Sequence, residues 1–173
     1  MNRKLRNEEL GRVSPEEFKN VDKLPIVIVL DNIRSLSNIG SVFRTSDAFL
    51  VEKIYLCGIT AQPPHREIQK TALGATESVE WEHNDSTLNC VIALKKKGYE
   101  LASVEQAKET TLLNNIEKRE KPTALVFGNE VNGISQDVID LSDTVIEIPQ
   151  FGTKHSLNIS VSVGIVLWEI IKA

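Results

Sequence analysis

Cysteine is scarce in this chain: two among 173 residues, Cys57 and Cys90, far apart and outside any Cys-x-x-Cys. That scarcity excludes a disulfide framework and a zinc ribbon, and leaves two buried free thiols as the expectation. Histidine is little commoner. His65, His83 and His155 stand in no metal-ligand spacing, so no metal is expected. Long apolar runs are missing as well: the longest, residues 157–171, is broken by Asn158, Ser160, Ser162 and Glu169 and is too short to span a bilayer. It predicts a buried helix. The opening residues, Met1-Asn2-Arg3-Lys4-Leu5-Arg6, lack the apolar stretch and small-residue cleavage site of a signal peptide, which points to a cytoplasmic protein. Positive charge is in deficit, 20 Lys and Arg against 24 Asp and Glu, for a net charge of −4. A strong generic nucleic-acid binder is thereby disfavoured, because phosphate contact is supplied by Lys and Arg. The local basic clusters (Arg3, Lys4, Arg6 and Arg12; Lys95, Lys96 and Lys97; Lys118, Arg119 and Lys121) read as solvated faces.

What is present is the composition of an ordinary globular chain, 41% apolar and 25% charged, long enough for one domain with a substantial core. Residues 1–24 read as a short helical extension, its helix opened by Ser14-Pro15-Glu16-Glu17, a capping box with Pro at the first helical position. An apolar run at 26–30 predicts a central strand. Ile39, Val42, Phe43, Ala48 and Phe49 give helical spacing over 38–49, and 53–57 predicts a second strand. A short helix over 65–75 ends at Gly74, a short strand covers 79–81, and Asp85 or Ser86 caps a helix ending at Lys97. Strands at 100–104 and 123–127, a helix at 135–141, a strand at 144–148 and the final helix complete the series. Such alternation, with β-branched strands that lack polar alternation, predicts an α/β fold with a mostly parallel sheet flanked by helices.

In sheets of this kind ligands bind at the carboxyl ends of the strands, so the informative residues should follow Leu30, Val104, Phe127 and Ile148. After Leu30 come Asp31, Asn32, Arg34, Asn38 and Arg44; after Phe127 comes Gly128-Asn129-Glu130-Val131-Asn132-Gly133. After Ile148 a dense polar loop, Pro149-Gln150-Phe151-Gly152-Thr153-Lys154-His155-Ser156, precedes the last helix, which Ser156 or Asn158 would cap. Known motifs fail here. The Gly-x-Gly-x-x-Gly dinucleotide fingerprint is absent, Ile134-Ser135 stands where a phosphate-binding loop needs Lys and a hydroxyl residue, and no Gly-x-Ser-x-Gly elbow exists.

Three segments in one order carry a resemblance instead. Asn38-Ile39-Gly40-Ser41-Val42-Phe43-Arg44-Thr45, then Leu125-Val126-Phe127-Gly128-Asn129-Glu130-Val131-Asn132-Gly133, then Ile148-Pro149 through Ser156-Leu157-Asn158-Ile159-Ser160, resemble the TrmH (SpoU) branch of the SPOUT RNA methyltransferases. The likeness covers nearly the whole chain from Ile26 onward. It implies that 1–173 form a single SPOUT methyltransferase domain. It also implies a deep trefoil knot at the C-terminal end, the last helix tucked through the loops after Phe127 and Ile148. An obligate homodimer would cover a final helix that is apolar nearly all round. The implied activity is transfer of a methyl group from S-adenosylmethionine to a ribose 2′-hydroxyl of RNA, tRNA first and rRNA as the alternative.

The resemblance also assigns roles. S-adenosylmethionine would be held mainly by main-chain groups around Gly128, Ile148 and Leu157, with Ser103 or Val104 nearby and Gly128 and Gly152 allowing close approach. Arg44 would bind substrate phosphate bidentately and orient or polarise the 2′-hydroxyl; a guanidinium is a poor general base, so proton loss would be assisted by that phosphate. Asn38 and Glu130 would fix the loops that bring Arg44 and cofactor together, Ser156 would contact phosphate, and Asn158 would orient Arg44 or the ribose. On the residues alone, Arg44 reads more readily as a helix-surface arginine paired with Asp47. A non-catalytic RNA-binding or assembly factor on the same fold stays open, and so, more distantly, does a nucleotide-binding α/β protein.

Overall fold

A computed structural model describes residues 2–117 and 119–172. Lys118, in the third basic cluster, lies outside the described residues. The chain forms α1 (Pro15–Asn20), β1 (Leu24–Asp31), α2 (Leu36–Ala48), β2 (Val51–Cys57), α3 (Arg66–Ala72), α4 (Ala75–Ser78), β3 (Glu80–Asn84) and α5 (Thr87–Lys96). Then follow β4 (Glu100–Val104), β5 (Thr111–Leu112), β6 (Thr123–Gly128), α6 (Gln136–Leu141), β7 (Thr144–Glu147) and α7 (Ile159–Lys172). Seven strands make one sheet in the order β3-β2-β1-β6-β4-β7-β5, and every described pairing is parallel. The mostly parallel sheet flanked by helices is therefore as the alternation predicts.

The period-2 geometry of β1 sorts its side chains between two cores. Ile26, Ile28 and Leu30 face α2, α3 and α7, with Ile39, Val42, Phe43, Ile68, Val163 and Val166 in the same cluster. Val27 and Val29 face the other way, onto Val91 and Leu94 of α5 and Val138 of α6. Both faces of the central strands are dry, which is why their sequences read as continuous apolar runs. In α7, Ile159, Val163, Val166 and Leu167 are buried, each contributing about 1.5–3 kcal/mol. Its other face is bare: Val161 is 49% exposed, Ile165 38% and Trp168 61%. The helix predicted to be covered on more than one side is, within one chain, covered on one.

Local signals mark most helix starts. Ser14 accepts from the Glu17 main chain while the Glu17 carboxylate accepts from that of Ser14, closing the capping box, and Phe18 seats this helix in the larger core. Ser35 caps α2 and Ser86, rather than Asp85, caps α5. Gly40 lies at the α2–α3 contact, where a Cβ would stand 2.3 Å from the Ile68 carbonyl oxygen, so the motif glycine serves helix packing. The predicted 65–75 helix is α3, which stops where Leu73 (φ 50°) and Gly74 (φ 91°) turn left-handed, and the further short helix α4 follows that turn. β3 begins one residue later and runs three further than the predicted 79–81. β5 was not predicted at all: two residues carry no periodicity, and it exists by pairing with β7.

The basic clusters are partly consumed in structure. Arg3 pairs with Glu9, Lys95 bridges the Leu141 carbonyl and Asp143, and Glu100 is shared by Lys121 at 3.1 Å and Arg119 at 3.6 Å. Both cysteines are buried and free. The neighbouring Cys90 thiol, together with burial, pushes the Cys57 thiol far above its usual range, so it stays protonated and inert.

Candidate active site

The strand register sets the carboxyl ends of β1, β6 and β4 level, pairing Asp31 with Gly128 and Phe127 with Val104. Over the ends of β6, β4 and β7 lies a cavity of about 530 Å³, walled by the segments that follow these strands. Gly128, Glu130, Ile148, Ser156 and Leu157 from the predicted set line it, as do Val104, Glu105, Gln106 and His155. Among the described residues its charged lining is acidic only: Glu105 and Glu130 face it, and no Lys or Arg does.

The loop after β6 is shaped by its own side chains. Asn129 Oδ1 accepts from the main-chain N–H groups of Val131 and Asn132, at 3.0 and 2.9 Å, folding the chain back on itself. Gly133 turns left-handed (φ 63°) and its main chain crosses directly over Gly128, where an added Cβ would stand 2.1 Å from the Gly133 carbonyl carbon. Gly128 is thus required by the loop's own crossing, before any cofactor approaches. Asp31, 2% exposed, anchors the loop's far end: its carboxylate accepts from Ser135 N (3.4 Å), Thr87 Oγ1 (2.5 Å) and Asn32 Nδ2 (2.7 Å).

Three of the predicted catalytic residues form one hydrogen-bonded chain across the three motifs. Asn158 Nδ2 donates to Asn38 Oδ1 at 3.1 Å, and Asn38 Nδ2 donates to Glu130 Oε1 at 2.9 Å. Asn158 Oδ1 meanwhile accepts from Ser160 N at 2.9 Å, so the same side chain caps α7. Asn158 thus caps α7 and bonds Asn38, while among the described residues it makes no bond to Arg44. The chain is solvent-accessible, where such bonds add only about 0.5–1.5 kcal/mol each to stability. Asn38→Ala should therefore shift the unfolding free energy by about 1 kcal/mol while reducing turnover at least tenfold; calorimetry and a single-turnover assay check the pair of outcomes.

Other predicted residues fall elsewhere. Arg44 is exposed on α2, about a third of a turn around the helix from Asn38. Among the described residues it makes no hydrogen bond or ion pair. The predicted Arg44–Asp47 pair does not form, since Asp47 instead accepts from Ser78 Oγ. Ser103 is fully buried with its hydroxyl 2.7 Å from Ser142 Oγ, and is not in the cavity wall; its neighbour Val104 is. Gly152 is exposed, outside the lining, with nothing near a would-be Cβ. No protein atom crowds that position.

Residues 25–168 match the model of the SpoU rRNA methylase family. The chain belongs to that family. This SpoU-family protein is 30% identical over 145 residues to a tRNA (guanosine(18)-2′-O)-methyltransferase of Aquifex aeolicus, an alignment covering 83% of this chain and 67% of that one. It is 30% identical over 153 residues to the 23S rRNA (guanosine-2′-O-)-methyltransferase RlmB of Neisseria meningitidis, covering 88% of this chain and 60% of the relative. It thus spans roughly two thirds or less of these relatives' length. Among solved structures, the A. aeolicus TrmH/SpoU tRNA modifying enzyme superposes with a TM-score of 0.79 at 27% identity, covering 91% of this chain and 79% of that one. An AdoMet-bound rRNA methyltransferase from Sinorhizobium meliloti gives 0.81 at 25% identity, covering 93% and 61%. The α/β fold of this SpoU-family chain is that of SPOUT methyltransferases.

Proposed function

We propose that the protein transfers a methyl group from S-adenosylmethionine to a ribose 2′-hydroxyl of RNA, with tRNA as the substrate. The observation that carries this reading is the Asn158–Asn38–Glu130 chain, which ties all three family motifs together beside the cavity at the strand ends. Relatives named for 2′-O-methylation of tRNA and of rRNA support the reaction class.

The cavity fits the proposed donor on physical grounds. About 530 Å³ suits a nucleoside-sized ligand, and a lining with the Glu130 carboxylate and, among the described residues, no Lys or Arg favours a ligand bearing positive charge. Apolar walls at Ile139, Ile148 and Leu157, with main-chain groups of the loop at 128–134, suit an adenosine moiety. When bound, S-adenosylmethionine supplies a methyl group already activated on sulfur. The protein's task is then position and charge. Gly128, Ile148 and Leu157 hold the donor. Asn38 fixes the Glu130 loop relative to α2, and Asn158 fixes α2 relative to α7. Ser156 and Arg44 take substrate phosphate, and Arg44 orients the 2′-hydroxyl, whose proton loss is assisted by that phosphate.

The reading extends to the assembly. Residues 1–173 act as one SPOUT domain with 1–24 as a short extension, working in the cytoplasm; the last helix passes through the loops after β6 and β7 to make the trefoil knot. Two copies pair through the bare face of α7, where Val161, Ile165 and Trp168 form a stripe beside Phe49, whose ring meets Trp168 edge-on at 6.4 Å. Trp168→Glu should convert a dimer to a monomer in sedimentation equilibrium at micromolar concentration; an unchanged mass would remove this face from the interface. No helix among the described residues is long and apolar enough to cross a membrane.

The decisive experiment supplies labelled S-adenosylmethionine with separate unmodified tRNA and rRNA pools, then maps the methylated nucleotide. Label in tRNA as a 2′-O-methylribose is expected. Label confined to rRNA would move the protein to the second reading, and no binding of S-adenosylmethionine by calorimetry would leave a non-catalytic RNA-binding factor.

A further inference from the structure

β4 is flanked in the sheet by β6 on one side and β7 on the other, and the two walls of the cavity grow from those two neighbours. The two residues directly after β4 reach both walls. Glu105 N donates to the Ile146 carbonyl at 3.0 Å, which pins the main chain to β7. Glu105 Oε2 then accepts from Ile134 N at 3.0 Å, at the end of the β6 loop, while Oε1 accepts from Gln106 N at 2.8 Å. Gln106 Nε2 donates in the other direction, to the His155 carbonyl of the loop after β7, at 2.7 Å.

Glycine at 133 is part of the same construction. Its left-handed main chain carries no side chain where a Cβ would stand 2.2 Å from Glu105 Oε2. The side-chain bonds are no part of the sheet's ladder, since Glu105 and Gln106 lie beyond the last β4 residue and neither belongs to a buried core. We infer that Glu105 and Gln106 are positioning residues that brace the two loops of the cavity against each other and so set its width for the donor.

This inference rests on the methyltransferase reading for its ligand, but the brace itself can be tested without one. In hydrogen–deuterium exchange on the ligand-free full chain, Glu105→Ala should speed exchange at amides 128–134, and Gln106→Ala should speed it at 150–158 while leaving 128–134 as in wild type. Glu105→Ala should weaken binding of S-adenosylmethionine and of S-adenosylhomocysteine alike, by about tenfold, the size of one hydrogen bond to a charged group. KM for the donor should rise with it and kcat should stay within about twofold, because the residue shapes binding and touches no reacting atom. Glu105→Gln, whose amide oxygen can still accept from one of the two N–H groups, should recover part of the loss.

Unchanged exchange at 128–134 in Glu105→Ala would overturn the brace, as would donor binding equal to wild type. Loss of S-adenosylmethionine binding with S-adenosylhomocysteine spared would also overturn it, making Glu105 a charge partner of the sulfonium instead. If Glu105→Ala fails to fold, Glu105→Gln and Gln106→Ala carry the same two readouts. Wild-type protein that binds neither ligand would defeat the methyltransferase reading, and the exchange data would still decide the brace.

Discussion

Arg44→Ala is expected to lower methyl transfer by about 10²–10³-fold, the loss typical of removing one group that stabilises developing charge. Binding of S-adenosylmethionine and the unfolding temperature should stay where they are. The separation follows from where the side chain is. Arg44 is exposed, outside the cavity lining, and makes no ion pair or hydrogen bond among the described residues, so nothing in the protomer is lost with it. An arginine left idle by its own chain is available to substrate phosphate, and its planar fork suits that partner better than a lysine would. Arg44→Lys should accordingly recover little. Single-turnover transfer with saturating RNA, beside calorimetric titration of the donor, tests the split; transfer within a factor of three of wild type would remove Arg44 from the reaction.

Gly128→Ala should damage the protein from the opposite direction, through the site's architecture. The methyl group would arrive 2.1 Å from the Gly133 carbonyl carbon and 2.4 Å from Ile134 N, both main-chain atoms with no rotamer to yield. The loop must then lift. A destabilisation of about 1–3 kcal/mol is expected from overpacking, and the cavity wall moves with it. Donor binding should be lost to beyond the range of calorimetry, although the substituted side chain is the smallest possible. A variant with wild-type melting temperature and donor affinity would show that the crossing at Gly133 is not as close in solution.

The sheet was legible from the residues because its central strands are dry on both faces: 26–30 is an uninterrupted apolar run, and 124–127 is another behind Thr123. Caps at Ser14 and Ser86 were legible for a different reason, the local competition of hydroxyl groups for main-chain N–H. β5 was not legible, since a two-residue strand has no period and owes its existence to β7. Within the site, Asn38, Glu130 and Asn158 were named from motifs lying 92 and 120 residues apart, and the structure joins them at hydrogen-bond distance. Of the two residues offered beside the donor, Ser103 or Val104, strand alternation turns Ser103 away. It points into the second core toward Ser142, and Val104 takes the cavity side. Glu105 and Gln106 were missed although the rule that ligands gather at strand ends already singled out the residues after Val104; no motif drew attention to them, and a hydrogen bond from a side chain to a distant main chain leaves no pattern in sequence.

The place of β6 in the sheet has a consequence for the birth of the molecule. It lies between β1 and β4, so the strand that joins the two halves of the sheet is made only when residues 123–128 have been synthesised. Until then β1 has β2 on one edge and an open row of donors and acceptors on the other, and β4 has no neighbour upstream of it. A nascent chain halted between these points would display two unpaired parallel edges, the surface that invites pairing with another chain. Assembly from such distant contacts is slow by nature, and the span from β1 to β6 is the interval during which the chain is exposed to it.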